Sequence, residues 1–195
     1  MHVSRALQAD QRSEVNPVEA LAEWGHADLS NVGHPTLKEN QRATVELLRR
    51  WTLREVTGVF VYGSVGTGKT ALAMRAGLRM QRRGVPVLFV RTKRLLDELR
   101  DYTYAADLRE TLYEAPALIL DDLGAESGNQ QFMEFAVAEL CALFDARFDN
   151  GLSTVITTNL TGAELVNRYG KRPFSRIRGL CESIKLDGPD LRGAK

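Results

Sequence analysis

Long apolar runs are missing from this 195-residue chain. No stretch approaches transmembrane length, and the N-terminus has no signal-type apolar core. Cysteine is scarce: Cys141 and Cys181 are the only two, too few for a disulfide scaffold and readily read as small buried hydrophobes in a reduced protein. A charge excess is missing too. Twenty-six Lys and Arg face twenty-five Asp and Glu, leaving +1, so no global field draws the chain to nucleic acid. Any such contact must come from a local patch. No segment repeats, and none is of low complexity. These absences predict a cytoplasmic globular protein with no membrane partner. What remains is 44% hydrophobic and 26% charged, the balance of one ordinary domain with a full core.

The chain divides at residue 35. Residues 1–35 hold a polar tail to Glu14, a short helix from the Asn16-Pro17-Val18-Glu19 start to about Trp24, and a linker rich in turn formers. The folded domain, 36–195, opens on a helix capped by Thr36 and Glu39, with Leu37, Val45, Leu48 and Trp51 along one face. Strands and helices then alternate. Strands are expected at Val59–Tyr62, Val85–Val90, Ala115–Leu120 and Ser153–Thr158, with a short one at Ser183–Leu186. Helices are expected from Lys69 to about Arg83, through Leu95, Leu96 and Leu99, over Phe132–Phe148, and over Leu160–Gly170 with Thr161 as cap. Unbroken apolar strands between helices mean a parallel sheet buried on both faces.

The chemistry is concentrated in three motifs. Val59–Tyr62 feeds Gly63-Ser64-Val65-Gly66-Thr67-Gly68-Lys69-Thr70-Ala71, a glycine-rich loop opening a helix. Glycines let backbone N–H groups converge on phosphate oxygens, and the helix N-terminus adds its unpaired amides and positive dipole end. Lys69 supplies a point charge for the β- and γ-phosphates, and the Thr70 hydroxyl can ligate Mg²⁺. The second motif is an apolar strand delivering Asp121 and Asp122 at its carboxyl end, facing the loop. Asp121 would orient the metal shell and Asp122 the attacking water. The third is Val155-Ile156-Thr157-Thr158-Asn159, a strand ending in an amide that can reach that water or the γ-phosphate.

Together these motifs resemble the AAA+ ATPases, specifically the bacterial helicase-loader group (DnaC/DnaI-like) and its relatives, the IstB-type transposition ATPases. The resemblance runs from about residue 30 to 193 and rests also on Ser175-Arg176-Ile177 and on Gly188–Arg192 (Gly-Pro-Asp-Leu-Arg). It implies an α/β P-loop AAA+ three-layer core with a parallel five-stranded sheet and no C-terminal helical lid. It implies ATP and Mg²⁺ as cofactors, Asn159 as the first sensor, and Arg176 as an arginine finger reaching a neighbour's nucleotide, with Arg178 the second candidate. Lys69, Asp122, Asn159 and Arg176 would then be the catalytic set. The implied partners are a replicative DnaB-like helicase, single-stranded DNA and further copies of the chain, assembled head to tail on ATP. The DNA surface would be Arg91, Lys93, Arg94 and Arg100, with Tyr102 and Tyr104 beside them. The implied function is ATP-driven helicase loading, with a transposition helper binding target DNA as the alternative. With so short an N-terminal region, helicase contact would fall to the helix around Asn16–Trp24. A small-molecule kinase would share the loop but needs no Asn159 or Arg176. Asp122, one methylene shorter than the commoner Glu, leaves a nucleotide-binding regulator open.

Overall fold

The computed structural model describes residues 39–100 and 105–191. The expected Asn16–Trp24 helix, the Thr36 cap, Leu37, Tyr102, Tyr104 and Arg192 lie outside those residues. Within them the order is α1 (Glu39–Thr52), β1 (Gly58–Tyr62), α2 (Lys69–Gln81), β2 (Val87–Arg91), α3 (Thr92–Leu99) and α4 (Ala105–Glu114). β3 (Ala117–Leu123), α5 (Gln130–Asp149), β4 (Ser153–Thr158), α6 (Gly162–Tyr169), α7 (Lys171–Leu180) and β5 (Glu182–Lys185) follow. The five strands form one parallel sheet in the order β2-β3-β4-β1-β5. β4 therefore stands between the strand that feeds the glycine loop and the strand that carries the acids.

Strand alternation divides the core into two halves. Val59, Val61, Ile119 and Val155 face α1 and α2, burying Trp51, Leu72 and Met80. Phe60, Leu118, Leu120 and Ile156 face the other way, against Leu95, Leu140, Phe144, Leu165 and Ile177. Both sheet faces are covered, which is why the inner strands carry apolar residues on both faces. This is the three-layer arrangement expected from the sequence.

Several boundaries differ from expectation, each for a local reason. β2 starts at Val87, not Val85: Val85 N–H closes the α2 turn onto Met80 O, and Pro86 has no N–H to donate. β3 does not stop before the acids but runs through them to Leu123, with the β3–β4 register shifting between Leu120 and Leu123. Asp122 lies in that irregularity with φ 59°. β5 ends at Lys185, one residue before the expected Leu186. Two helices were not legible. α4 has only Ala105 and Leu112 buried, and in α7 the narrow stripe of Pro173, Ile177 and Leu180 is set among basic residues and opens on a proline. α7 is held by packing: a Cβ on Gly179 would stand 2.7 Å from the Phe148 ring of α5. The Thr161 cap of α6 is as expected, a full capping box with Glu164.

Candidate functional site

The glycine loop joins β1 to α2 with no intervening residue beyond Gly63–Gly68. Gly63, Gly66 and Gly68 all have positive φ, at 139°, 77° and 93°. Two of them are glycine for a second reason. A Cβ on Gly63 would lie 2.3 Å from the Leu186 carbonyl oxygen, and one on Gly66 would lie 2.0 Å from the Asp190 carboxylate. The segment after β5 thus runs against the loop. Leu191 N–H donates to Gly66 O at 2.9 Å, and the Ser64 hydroxyl donates to Asp187 Oδ1 at 3.5 Å. Val65 and Ser64 are exposed at the loop tip.

Lys69, the first residue of α2, is buried. Its Nζ donates to Gly63 O at 2.8 Å and to Ser64 O at 2.6 Å, which holds the ammonium at the loop mouth. The Thr67 hydroxyl donates to Ser64 O at 2.9 Å and braces the turn. The first bond of the α2 ladder runs from Leu72 N–H to Gly68 O at 3.0 Å. The amides of the first turn, around Thr70 and Ala71, therefore precede the ladder, as an anion site requires.

Asp121 sits at the centre, 2% exposed. Its Oδ1 accepts the Thr70 hydroxyl at 2.8 Å and the Thr157 hydroxyl at 2.6 Å, and its carbonyl accepts the Thr92 hydroxyl at 3.0 Å. Burial raises its carboxyl above the usual range, and the two hydroxyl donors oppose that shift. Asp122 donates its N–H to Thr157 Oγ1 at 3.0 Å, and its Oδ1 accepts Asn159 Nδ2 at 3.0 Å. Thr157 therefore binds both acids at once. The three motifs, distant in sequence, meet at the carboxyl ends of β1, β3 and β4.

Thr70 Oγ1 and Asp121 Oδ1 form an adjacent pair of hard oxygens. Mg²⁺ is suited by one or two protein oxygens, with phosphate and water completing its shell, so these residues fit it. Among the described residues no group of three or more His, Cys, Asp or Glu could hold a metal unaided.

Arg176 does not join this cluster. On α7, its Nε donates to Asp145 Oδ1 at 2.5 Å and its guanidinium lies 5.2 Å from the Phe148 ring centre, both on α5. Arg172 takes the other Asp145 oxygen at 2.7 Å, and the two arginines hold that carboxyl below the usual range. Arg178 is exposed on the same helix. The expected DNA residues also divide. Arg91 stands opposite Asp121 in the β2–β3 register, and its charge counters the upward shift of that acid. Lys93 and Arg94 pair along α3 with Asp97 at 3.0 Å and Glu98 at 2.7 Å, and Arg100 lies over Phe132 at 5.5 Å.

Two buried polar residues were not singled out from sequence. Glu126 lies just beyond the acids. Its carboxylate accepts from Gly124 N–H at 3.1 Å, from Arg168 Nε at 3.0 Å and from the Tyr169 hydroxyl, tying the loop after β3 to α6. Arg147 of α5 donates to Thr154 Oγ1, Leu112 O, Ala115 O and Ser153 O at 2.7 to 3.1 Å. An acid in a loop and an arginine in a helix carry no such signal; their partners are distant in the chain.

A glycine loop and an acid-tipped strand flanking a strand that is followed by Asn159, in a sheet of this order, define a P-loop ATP-binding protein of the AAA+ class. The particular family follows from comparison. The chain belongs to the IstB-like ATP binding proteins, whose family model matches residues 6–175. It is 30% identical over 159 residues to an insertion-sequence protein of Mycobacterium tuberculosis described as ATP-binding, covering 75% of this chain and 59% of that protein. It is 32% identical over 162 residues to the ATP-binding protein of insertion sequence IS1162 in Pseudomonas fluorescens, covering 80% and 67%. The chain thus spans about three fifths of the mycobacterial protein and two thirds of the pseudomonad one. Among solved structures, the DnaC helicase loader superposes with TM-score 0.69 at 24% identity, covering 80% of this chain and 94% of that one. DnaI superposes with TM-score 0.71 at 24% identity, covering 83% and 89%. DnaA bound to AMPPCP and single-stranded DNA gives 0.69 at 21%, covering 81% and 50%. These likenesses establish the fold. No helix among the described residues is long and apolar enough to cross a membrane.

Proposed function

We propose that this protein hydrolyses ATP in support of DNA transposition, acting on DNA as a head-to-tail assembly of its own copies. The observation that carries the chemistry is the joint grip of Thr157 on Asp121 and Asp122, beside Thr70 and Lys69. In this reading Lys69 and the loop amides hold the β- and γ-phosphates. Mg²⁺, held by Thr70 and Asp121, would supply charge neutralisation on the phosphate oxygens. Asp122, kept in place by Asn159 and Thr157, accepts the proton of the attacking water. Asn159 also senses the terminal phosphate. Arg176, exchanging Asp145 for a neighbour's nucleotide, stabilises the developing charge in trans. The transposition setting is supported by the insertion-sequence origin of both related proteins.

Helicase loading with a DnaB-like partner is the second reading. Its support is the likeness to DnaC and DnaI, which is one of fold. Internal pairing of Lys93 and Arg94 also leaves α3 a weaker single-strand surface than its composition suggests. The test is phosphate release by the purified protein, with and without duplex DNA, alongside pull-down against a DnaB-like helicase. ATP turnover stimulated by duplex and no helicase capture is the expected result. Helicase capture with stimulation by single strands alone would reverse the choice, and no turnover under any condition would remove the ATPase reading.

A further inference from the structure

We infer a second site, not used in the nucleotide chemistry: the cavity between the C-terminal ends of α1 and α2 binds the phosphate backbone of duplex DNA. It encloses about 330 Å³ and is lined by Arg49, Thr52, Leu53, Arg79, Arg82 and Arg83. An adjoining smaller cavity shares Arg49, Thr52 and Arg79 and adds Arg75. Arg75, Arg79 and Arg82 follow helical spacing, so one face of α2 delivers them together.

The charge balance favours an anion. Four arginines line the main cavity; of the acids, Glu46 pairs with Arg49 at 2.7 Å, and the charge of Glu55 also reaches Arg49. The ends of α1 and α2 each contribute roughly −0.5 of a charge, which still leaves the cavity net positive. Arg83 Nη1 already donates to Thr52 O at 2.9 Å, answering the carbonyl end of α1. Among the described residues the side chains of Arg79 and Arg82 form no ion pair, unlike Lys93 and Arg94 on α3. Arginine offers a planar fork that matches phosphate oxygens.

The cavity's lining also selects the strand form. It contains no aromatic side chain, whereas single-strand binding draws much of its affinity from bases stacked on aromatics. A phosphate-only surface suits duplex backbone instead. The site is separate from the nucleotide loop. α2 is 13 residues long, so the two lie at opposite ends of a rod of about 20 Å. DNA seated there would not compete with ATP.

This inference rests on the reading of the chain as a DNA-associated ATPase, and the test separates the two. Full-length protein, its R79A/R82A variant and its R79K/R82K variant are titrated against a short fluorescein-labelled duplex by anisotropy over a range of salt. Binding of a fluorescent ATP analogue and DNA-free ATP hydrolysis are measured on the same preparations. In R79A/R82A the slope of log affinity against log salt should fall by about 1.8, two phosphate contacts at about 0.9 each, while nucleotide binding stays unchanged. R79K/R82K should keep the slope. An unchanged slope in R79A/R82A overturns the site, as does wild type that hydrolyses ATP but does not bind duplex. A tighter hold on the equivalent single strand, lost in the same variant, also overturns it. Absent hydrolysis with intact duplex binding strikes only the ATPase reading.

Discussion

The Thr157 hydroxyl donates to the Asp121 carboxylate at 2.6 Å while accepting the Asp122 N–H at 3.0 Å. One side chain of β4 thus positions both acids of β3. Thr157→Val keeps the shape but takes one of two hydroxyl donors from the buried Asp121 carboxylate and leaves the Asp122 amide without its acceptor. Leaving such groups unmatched costs about 1–3 kcal/mol, so the folded state should melt several degrees lower and ATP turnover should drop. Thr157→Ser should recover both. Thermal melts with phosphate release test this, and a Val variant indistinguishable from wild type would reduce Thr157 to a packing residue.

Asp122→Asn keeps an oxygen for Asn159 but removes the charge. ATP-analogue affinity should be nearly unchanged while hydrolysis falls by on the order of a hundred-fold or more, the usual scale for losing a general base. Wild-type turnover in this variant would transfer the water-activating role elsewhere.

Turnover should depend on a divalent cation. Chelation with EDTA should stop it and added Mg²⁺ should restore it, because hard oxygens at Thr70 and Asp121 are suited to that ion. Asp121→Asn should raise the Mg²⁺ concentration needed for half-maximal rate. The same requirement in wild type and variant would show that Asp121 does not hold the ion.

Arg176 must leave Asp145 to serve a neighbouring subunit. Arg176→Ala should bind ATP nearly normally yet hydrolyse it on the order of a thousand-fold more slowly. Lys69→Ala should fail to bind it. Mixing the two should restore activity, because the first supplies an intact nucleotide site and the second an intact finger. Asp145→Ala, which releases Arg176, should not lower the rate. No recovery on mixing, at concentrations where wild type assembles, would make Arg176 a clamp between α7 and α5 and nothing more.

Arg147→Met tests the fold alone. It removes four donations, to the buried Leu112 O and Thr154 Oγ1 and to the part-buried Ala115 O and Ser153 O. Burial pushes the Arg147 guanidinium down to about 10, still charged at neutral pH. Urea unfolding should show a loss of about 1–3 kcal/mol, the scale for leaving buried acceptors unmatched. ATP affinity at low urea should be retained. A loss below about 1 kcal/mol would mean water replaces the guanidinium without penalty.

What the sequence by itself determined were the elements whose signal is local. Glycines followed by Lys69 and Thr70 specify a phosphate loop because backbone geometry and helix dipole act within a few residues. Apolar strands tipped with Asp121-Asp122 and with Asn159 specify where a parallel sheet presents its ligand edge. Long-range partners were decided by the tertiary structure alone. β4 lies between β1 and β3, and only that order sets Thr157 against both acids. Only the return of the chain after β5 sets Asp190 against Gly66. Arg147, Glu126 and the arginines of α1 and α2 look like ordinary helix or loop residues in sequence. Their meaning comes from neighbours brought together by burial of two apolar faces, an interaction without direction that no local pattern of residues encodes.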